Sequence, residues 1–331
     1  MTIEKRDVNI TTGIIFRTIL IILAIIFLYL IRNVLILLFI AILITAAIDP
    51  IIAWLQKKKV PRPVGVIGIY IVAIVIVSLI VSFLIPPIIN QIKSLSSANL
   101  QGIKNFFQSQ TLAFYTQSLL ADLSNRLSEI YGGIFSTTLN VFTGIVSAII
   151  ILVMAFYMAV REDGMKKFVA SITPDNYKER AVMLTGKIQN KIGKWMLGQI
   201  FLMFLIFILD LAALLILRIP FALSLAIWGG LMEIIPYIGP FLAAIPAILV
   251  AFLFVSPLAG LLVLAAYVII QQAEGHIIVP QVMKKAVGIN PIVVILALLV
   301  GAELGGVVGT IISVPLATAI SVLVSDLMVK K

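Results

Sequence analysis

The chain of 331 residues contains no cysteine and a single histidine, His276. Without cysteine there is no disulfide, no thiolate metal site and no cysteine nucleophile, and one histidine cannot supply the His-Glu-x-x-His zinc pair. The sequence also has no Gly-x-x-x-x-Gly-Lys-Ser/Thr loop, so nothing in it binds a nucleotide or points to direct ATP drive. No nucleophile and base pair and no set of metal ligands emerges, so no catalytic residue, metal or cofactor is assigned. Charge is scarce as well, at 11% of residues against 62% hydrophobic. That balance lies far outside soluble domains and requires a polytopic membrane protein, with the lipid bilayer as its first partner. The formal charge of +10 does not indicate nucleic acid, because the bases sit in short clusters between apolar runs. Positive-inside topology explains them.

A helix needs about 20 apolar residues to cross the hydrocarbon. Five runs reach that length: 13–31, 34–55, 64–89, 138–160 and 195–217; a shorter one covers 257–272. The first run has no small-residue cleavage site after it and is expected to be a retained helix. Two regions, 221–254 and 291–327, are apolar but interrupted. The expected fold is therefore an all-α polytopic integral membrane protein with about eight membrane segments, two of them re-entrant or broken helical regions in opposed orientation.

Basic loops orient the chain. Lys57, Lys58, Lys59 and Arg62 have no compensating acid, and residues 161–194 hold eight bases against four acids. Both loops are expected in the cytoplasm with Lys284, Lys285, Lys330 and Lys331, which puts both termini of a multi-pass cell-membrane protein inside. The expected organisation is helices 1–3 over residues 1–90, an extracytoplasmic amphipathic segment over 91–137, membrane helices with a basic solvated connector (161–194) over 138–217, and a transport core over 218–331. Apolar residues at helical spacing in 90–136 suggest amphipathic helices that lie on the membrane or on a second copy, the latter giving a homo-oligomer, with a stalk helix packed on its own bundle as the alternative.

The sequence Glu233-Ile-Ile-Pro-Tyr-Ile-Gly-Pro240, with Pro246 beyond, breaks a helix inside lipid. Pro236, Pro240 and Pro246 lack the N–H groups that would serve the carbonyls of Met232, Pro236 and Leu242. Those carbonyls must find protein, water or an ion. Broken helices of this kind line transport sites, and an intramembrane carboxylate is a functional candidate by default. A weak internal repeat extends the pattern: Glu233, Gly239 and Pro246 are echoed in order by Glu303, Gly309 and Pro315. Glu233, Glu274 and Glu303 are candidate proton or ion carriers, with helix capping or pairing with Lys284 or Lys285 as the alternative. Gly239, Gly306 and Gly309 allow close backbone approach or simple helix packing. Asp49 and Asp210 are secondary candidates that could pair with a base or face a cavity. Asn290-Pro291 reads as an N-cap and first helical residue. His276 reads as a solvated anchor. Tyr157, Tyr237, Tyr267, Trp54, Trp195 and Trp228 read as interfacial anchors.

Four ordered motifs, the 233–246 stretch, Gln271-Gln-Ala-Glu274 with Ile278-Val-Pro280, Gly288-Ile-Asn-Pro291, and Gly301-Ala-Glu303 with Gly306, Gly309 and Val314-Pro315-Leu-Ala, resemble the C-terminal half of the autoinducer-2 exporter family of permeases. The N-terminal half matches by helix pattern, Asp49-Pro50 and the basic loop, while Asp210 lies outside the pattern. The resemblance implies an eight-segment bacterial or archaeal inner-membrane permease, a class associated with quorum-signal export, with sodium/proton exchange, or with no assigned substrate. The function expected is a secondary transporter exporting or exchanging a small solute, coupled to a proton or sodium gradient. Its rivals are a monovalent cation/proton antiporter and a non-transporting membrane scaffold or assembly factor.

Overall fold

The computed structural model describes residues 12–97, 138–283 and 290–328. Among these residues every regular element is helical: α1 (Thr12–Leu30), α2 (Arg32–Lys57), α3 (Arg62–Ser97), α4 (Thr138–Val160), α5 (Gly164–Ile172), α6 (Asp175–Ile216), α7 (Ala222–Met232), α8 (Gly239–Phe254), α9 (Pro257–Ala273), a π-helical turn (Glu274–Ile278), α10 (Val279–Met283) and α11 (Pro291–Met328). Five of the described helical stretches are long and apolar enough to cross a membrane, and shorter apolar helices accompany them. The chain is an all-α polytopic membrane protein. The positions 98–137 of the expected amphipathic segment, together with Lys284, Lys285, Gly288, Lys330 and Lys331, lie outside the described residues.

The element that organises the rest is α6. Its 42 residues make about 63 Å of helix, twice the hydrocarbon thickness of about 30 Å. Its basic first half therefore stands beyond the membrane, and its apolar second half crosses it. The stretch 161–194, expected as a basic connector, contains α5 and this helical first half, tied down by side chains. Arg180 pairs with Asp326 of α11 at 2.6 Å, Lys187 approaches the same carboxylate at 3.8 Å, and Gln189 donates to Asp49 of α2 at 3.0 Å. Beside it, Lys166 donates to Asp163 at 2.7 Å and holds that exposed carboxyl below its ordinary range.

The two interrupted regions are both helical hairpins. In the first, α7 follows the C-terminal end of α6 and packs on it, then turns back as α8. In the second, α11 is interrupted at Gly306, whose φ of 57° and ψ of −140° only glycine adopts without strain. The arms on either side touch so closely that a Cβ built on Gly309 would fall on the Gly301 carbonyl oxygen. The far end of α11 lies at Arg180, near the N-terminal end of α6, whereas α7 begins at its C-terminal end. The hairpins thus open toward opposite ends of α6.

Among the described residues four apolar clusters hold this arrangement; one, of Ile52, Val66 and Ala159, joins α2, α3 and α4, and the other three are built on α6. Leu214 of α6, Ala243, Ala247 and Val250 of α8, and Val263 and Tyr267 of α9 form the largest. Trp195, Ile235, Leu298 and Val314 join α6, the first hairpin's turn and both arms of α11. Leu43, Ala46 and Ile192 bind α2 to α6; at that crossing Gly193 admits the Ala46 carbonyl, which Pro50 cannot serve, to its Cα. Both N-caps that precede a proline are formed: Ala259 donates to the Ser256 side chain at 3.1 Å, and Ile292 donates to that of Asn290 at 2.9 Å.

Candidate functional site

The turn between α7 and α8 gives its free carbonyls to the protein. Met232 accepts from the Ile235 N–H at 3.0 Å, and Pro236 from the Ile238 N–H at 2.8 Å. The Leu242 carbonyl, released by Pro246, accepts from the Trp228 indole at 3.0 Å. Gln199 of α6 donates its side-chain N–H to the Glu233 carbonyl. Gly239 packs on Met232 where a Cβ would strike its carbonyl oxygen, and Tyr237 takes a positive φ of 66°. The prolines therefore shape the turn, and no orphaned carbonyl of this set is left for an ion.

What the turn leaves unpaired is acid. Glu233, at the C-terminal end of α7, is 2% exposed, and Glu274, at the head of the π-helical turn, is 5% exposed. Their carboxyl groups interact directly, and Asp210 of α6 lies within electrostatic reach of both. None of these three acids makes an ion pair among the described residues, and no basic side chain among those residues acts on Glu233 or Asp210. A π-helical turn widens the helix and resets the direction of the following side chains. Here it places Glu274 against Glu233. Around the three acids, Gln199 Oε1, Asp210 Oδ2, Glu233 Oε2, Tyr267 OH and Gln271 Oε1 are buried without a hydrogen-bond partner. In a membrane interior each such atom costs several kcal/mol unless it binds something.

Glu303 does not join this group. It is exposed near the tip of α11, on the loop side of the Gly301–Gly309 crossing, where Leu304 and Val307 are exposed as well. The six-residue echo of Glu233 and Gly239 does not make equivalent places, because the first break follows Glu233 directly and the second falls three residues after Glu303. Pro315 is buried in the second arm. Asp49 is bound by Arg62, which also donates to the Ala159 carbonyl at 2.7 Å, and by Gln189. It ties α2 to α3 and α6, and Arg62 extends the tie to α4.

The reading of the aromatic residues needs correction in part. Trp54 and Tyr157 are exposed as anchors should be, with Lys58 stacked 4.3 Å from the Trp54 ring centre. Trp195 and Tyr267 are buried, and Trp228 serves a carbonyl. Of the polar groups around the acids, Gln199 is not singled out from sequence, Tyr267 is read there as an interfacial anchor, and Gln271 enters only as part of the Gln271-Gln-Ala-Glu274 motif. The signal was available for two of them, since Tyr267, Gln271 and Glu274 follow one another at i, i+4 and i+7 on one helical stripe.

Residues 18–328 match the sequence model of the family described as AI-2E family transporter. Similar proteins include "Putative transport protein YrrI" of Bacillus subtilis (strain 168), 28% identical over 88% of this chain and 85% of that protein. "Putative transport protein YueF" of the same organism is 26% identical over 81% of this chain and 77% of its own length. A "Putative transport protein" of Haemophilus influenzae (strain ATCC 51907 / DSM 11121 / KW20 / Rd) is 30% identical over 83% and 81%. A family match of this length, on an all-helical membrane fold with two opposed hairpins, places the chain in the AI-2E family of membrane transporters.

Proposed function

We propose that the protein is a secondary transporter that moves a small solute in exchange for, or together with, protons or sodium ions, and that Glu233 and Glu274 are its coupling site. One observation carries this: two carboxyl groups face each other in the membrane interior with no cationic partner among the described residues. Two carboxylates so placed cannot both be charged cheaply, so the pair must hold a proton or a cation and release it when water reaches it. The Pro-Gly-Pro turn beside Glu233 supports the same reading, because a tip with few regular helical bonds can shift without unwinding a whole helix. A quorum-signal-type molecule is among the solutes the family name suggests. The cation/proton antiporter reading uses the same two acids and differs only in lacking the organic solute.

Purified protein in liposomes tests the proposal. A pH or sodium gradient should drive solute or cation flux in the wild type. Glu233→Gln and Glu274→Gln should insert and fold but lose that dependence. For a coupling free energy of ordinary size, about 1–3 kcal/mol, the loss is about 5–150-fold. Flux unchanged in both variants would remove the pair from the mechanism.

A further inference from the structure

Asp210 stands apart from the Glu233–Glu274 pair. It lies eleven residues after Gln199 on α6, about 16 Å along the axis and close to three whole turns, so both face the same side. It is 1% exposed in the apolar second half of α6, six residues before that helix ends, and the fold has made room for it. Gly229 of α7 lies so near that a Cβ there would coincide with Asp210 Oδ2, and Ala243 of α8 closes the far side of that glycine. From α9, Tyr267, 7% exposed, turns its hydroxyl toward the Asp210 carboxyl. Both the hydroxyl and Oδ2 lack a hydrogen bond of regular geometry.

The titratable groups that act on Asp210 come from two elements: Tyr267 from α9 and Glu274 from the π-helical turn, while Asp210 in turn acts on Glu233. All are acids or a phenol. An ionised carboxylate in such surroundings has no counter-charge, and ionising it beside a charged Glu274 would cost more again. Among the described residues no three acidic or imidazole groups converge on a point that would hold a metal ion. The acids are arranged two and one along a stripe, with the Gln271 side chain between Tyr267 and Glu274.

We infer that Asp210 with Tyr267 is a second proton-binding station, electrostatically linked to the Glu233–Glu274 pair, so that one station keeps its proton while the other releases its own. This rests on the reading of the buried acids as the coupling site. In each step a proton leaves one carboxyl oxygen for water and the O–H bond at the other carboxyl persists, so the buried cluster never carries both charges together. Gly229 is the residue that lets the Asp210 carboxyl sit at the helix crossing, and Tyr267 is its positioning residue.

Infrared spectroscopy of the purified full chain in nanodiscs, titrated with pH, reads the carbonyl stretch of protonated carboxylic acids without any transport step. The wild type should show this band near neutral pH. Asp210→Asn should lose part of the band, and the remaining part should titrate at a shifted pH because its electrostatic neighbour is gone. Tyr267→Phe, which keeps the ring, should retain the band's area but move its frequency. A band unchanged in area and titration in folded Asp210→Asn would overturn the second station. If that variant does not fold, a band unmoved in folded Tyr267→Phe would do so. Glu233→Gln in the same assay separates the two claims: a band unaffected there removes the pair, while a normal Glu233 response with a silent Asp210 removes only the second station.

Discussion

The indole nitrogen of Trp228 donates to the Leu242 carbonyl at 3.0 Å, the oxygen that Pro246 leaves without its helical partner. One turn earlier on the same helix, Ser224 donates at 3.0 Å to the Phe83 carbonyl, which Pro87 cannot serve. The short helix α7 therefore stitches proline breaks on two of its neighbours, α3 and α8. In lipid this is how a broken helix is kept from exposing bare backbone.

Replacing Trp228 by Phe keeps an aromatic ring and removes the donor. The orphaned carbonyl should cost about 1–3 kcal/mol, read as a lowered unfolding midpoint in detergent. Ser224→Ala should cost a similar amount, and the two losses should add, since the carbonyls served are different. A Trp228→Phe variant as stable as the wild type would show that water serves Leu242 instead.

Adjacent glycines at the tip of α11 make an internal control. Gly306 has a positive φ, and Gly305 does not, although a Cβ would meet nothing within 4 Å at either. Gly306→Ala should therefore destabilise by about 1–2 kcal/mol through backbone strain alone, while Gly305→Ala should be neutral or better. Equal thermal stability of the two variants would argue against the sharp turn.

Glu303→Gln should leave gradient-driven flux close to wild type, because Glu303 is exposed and absent from the electrostatic neighbours of Glu233. A loss as large as that of Glu233→Gln would mean that the α11 tip joins the site during the transport cycle.

Asp49→Asn should weaken the tie between α2, α3 and α6 by about 1–3 kcal/mol, the scale of a hydrogen bond to a charged group. Flux per folded molecule, and its dependence on pH, should not change. An altered pH dependence in well-folded protein would place Asp49 in the ion path.

The absence of native cysteine makes single-cysteine labelling direct. Substitutions at Lys58 and Lys187 should react with an impermeant reagent from the same side, because Gln189 and Asp49 bind the two regions together. Cysteine in place of Arg218, at the other end of α6, should react from the opposite side. Labelling of Lys187→Cys and Arg218→Cys from one side would contradict the crossing of α6.

The membrane class, the helical runs and both interruptions were legible because each rests on local chemistry: long apolar stretches, prolines without N–H groups, and glycines where a turn needs them. Asn290-Pro291 likewise capped its helix as its residue types required. Glu233 and Glu274 were visible as acids in apolar surroundings. Asp210 was visible too, but nothing local told a paired aspartate from a buried unpaired one.

Sequence by itself determined that the chain crosses a membrane repeatedly and where its helices must break, since lipid penalises any backbone group left without a partner. Only tertiary packing decided which acids meet. Glu303 carries the same six-residue spacing to glycine as Glu233, with a proline further on, yet the turn geometry leaves it exposed, while Glu274, with no counterpart in that repeat, is swung onto Glu233 by a π-helical turn. Trp228 and Tyr267 show the same division: an amphipathic ring suits a membrane interface equally well as a buried donor. Which role it takes depends on whether a carbonyl or a carboxyl from another helix lies within a few ångströms, and distances between remote residues are set by the fold.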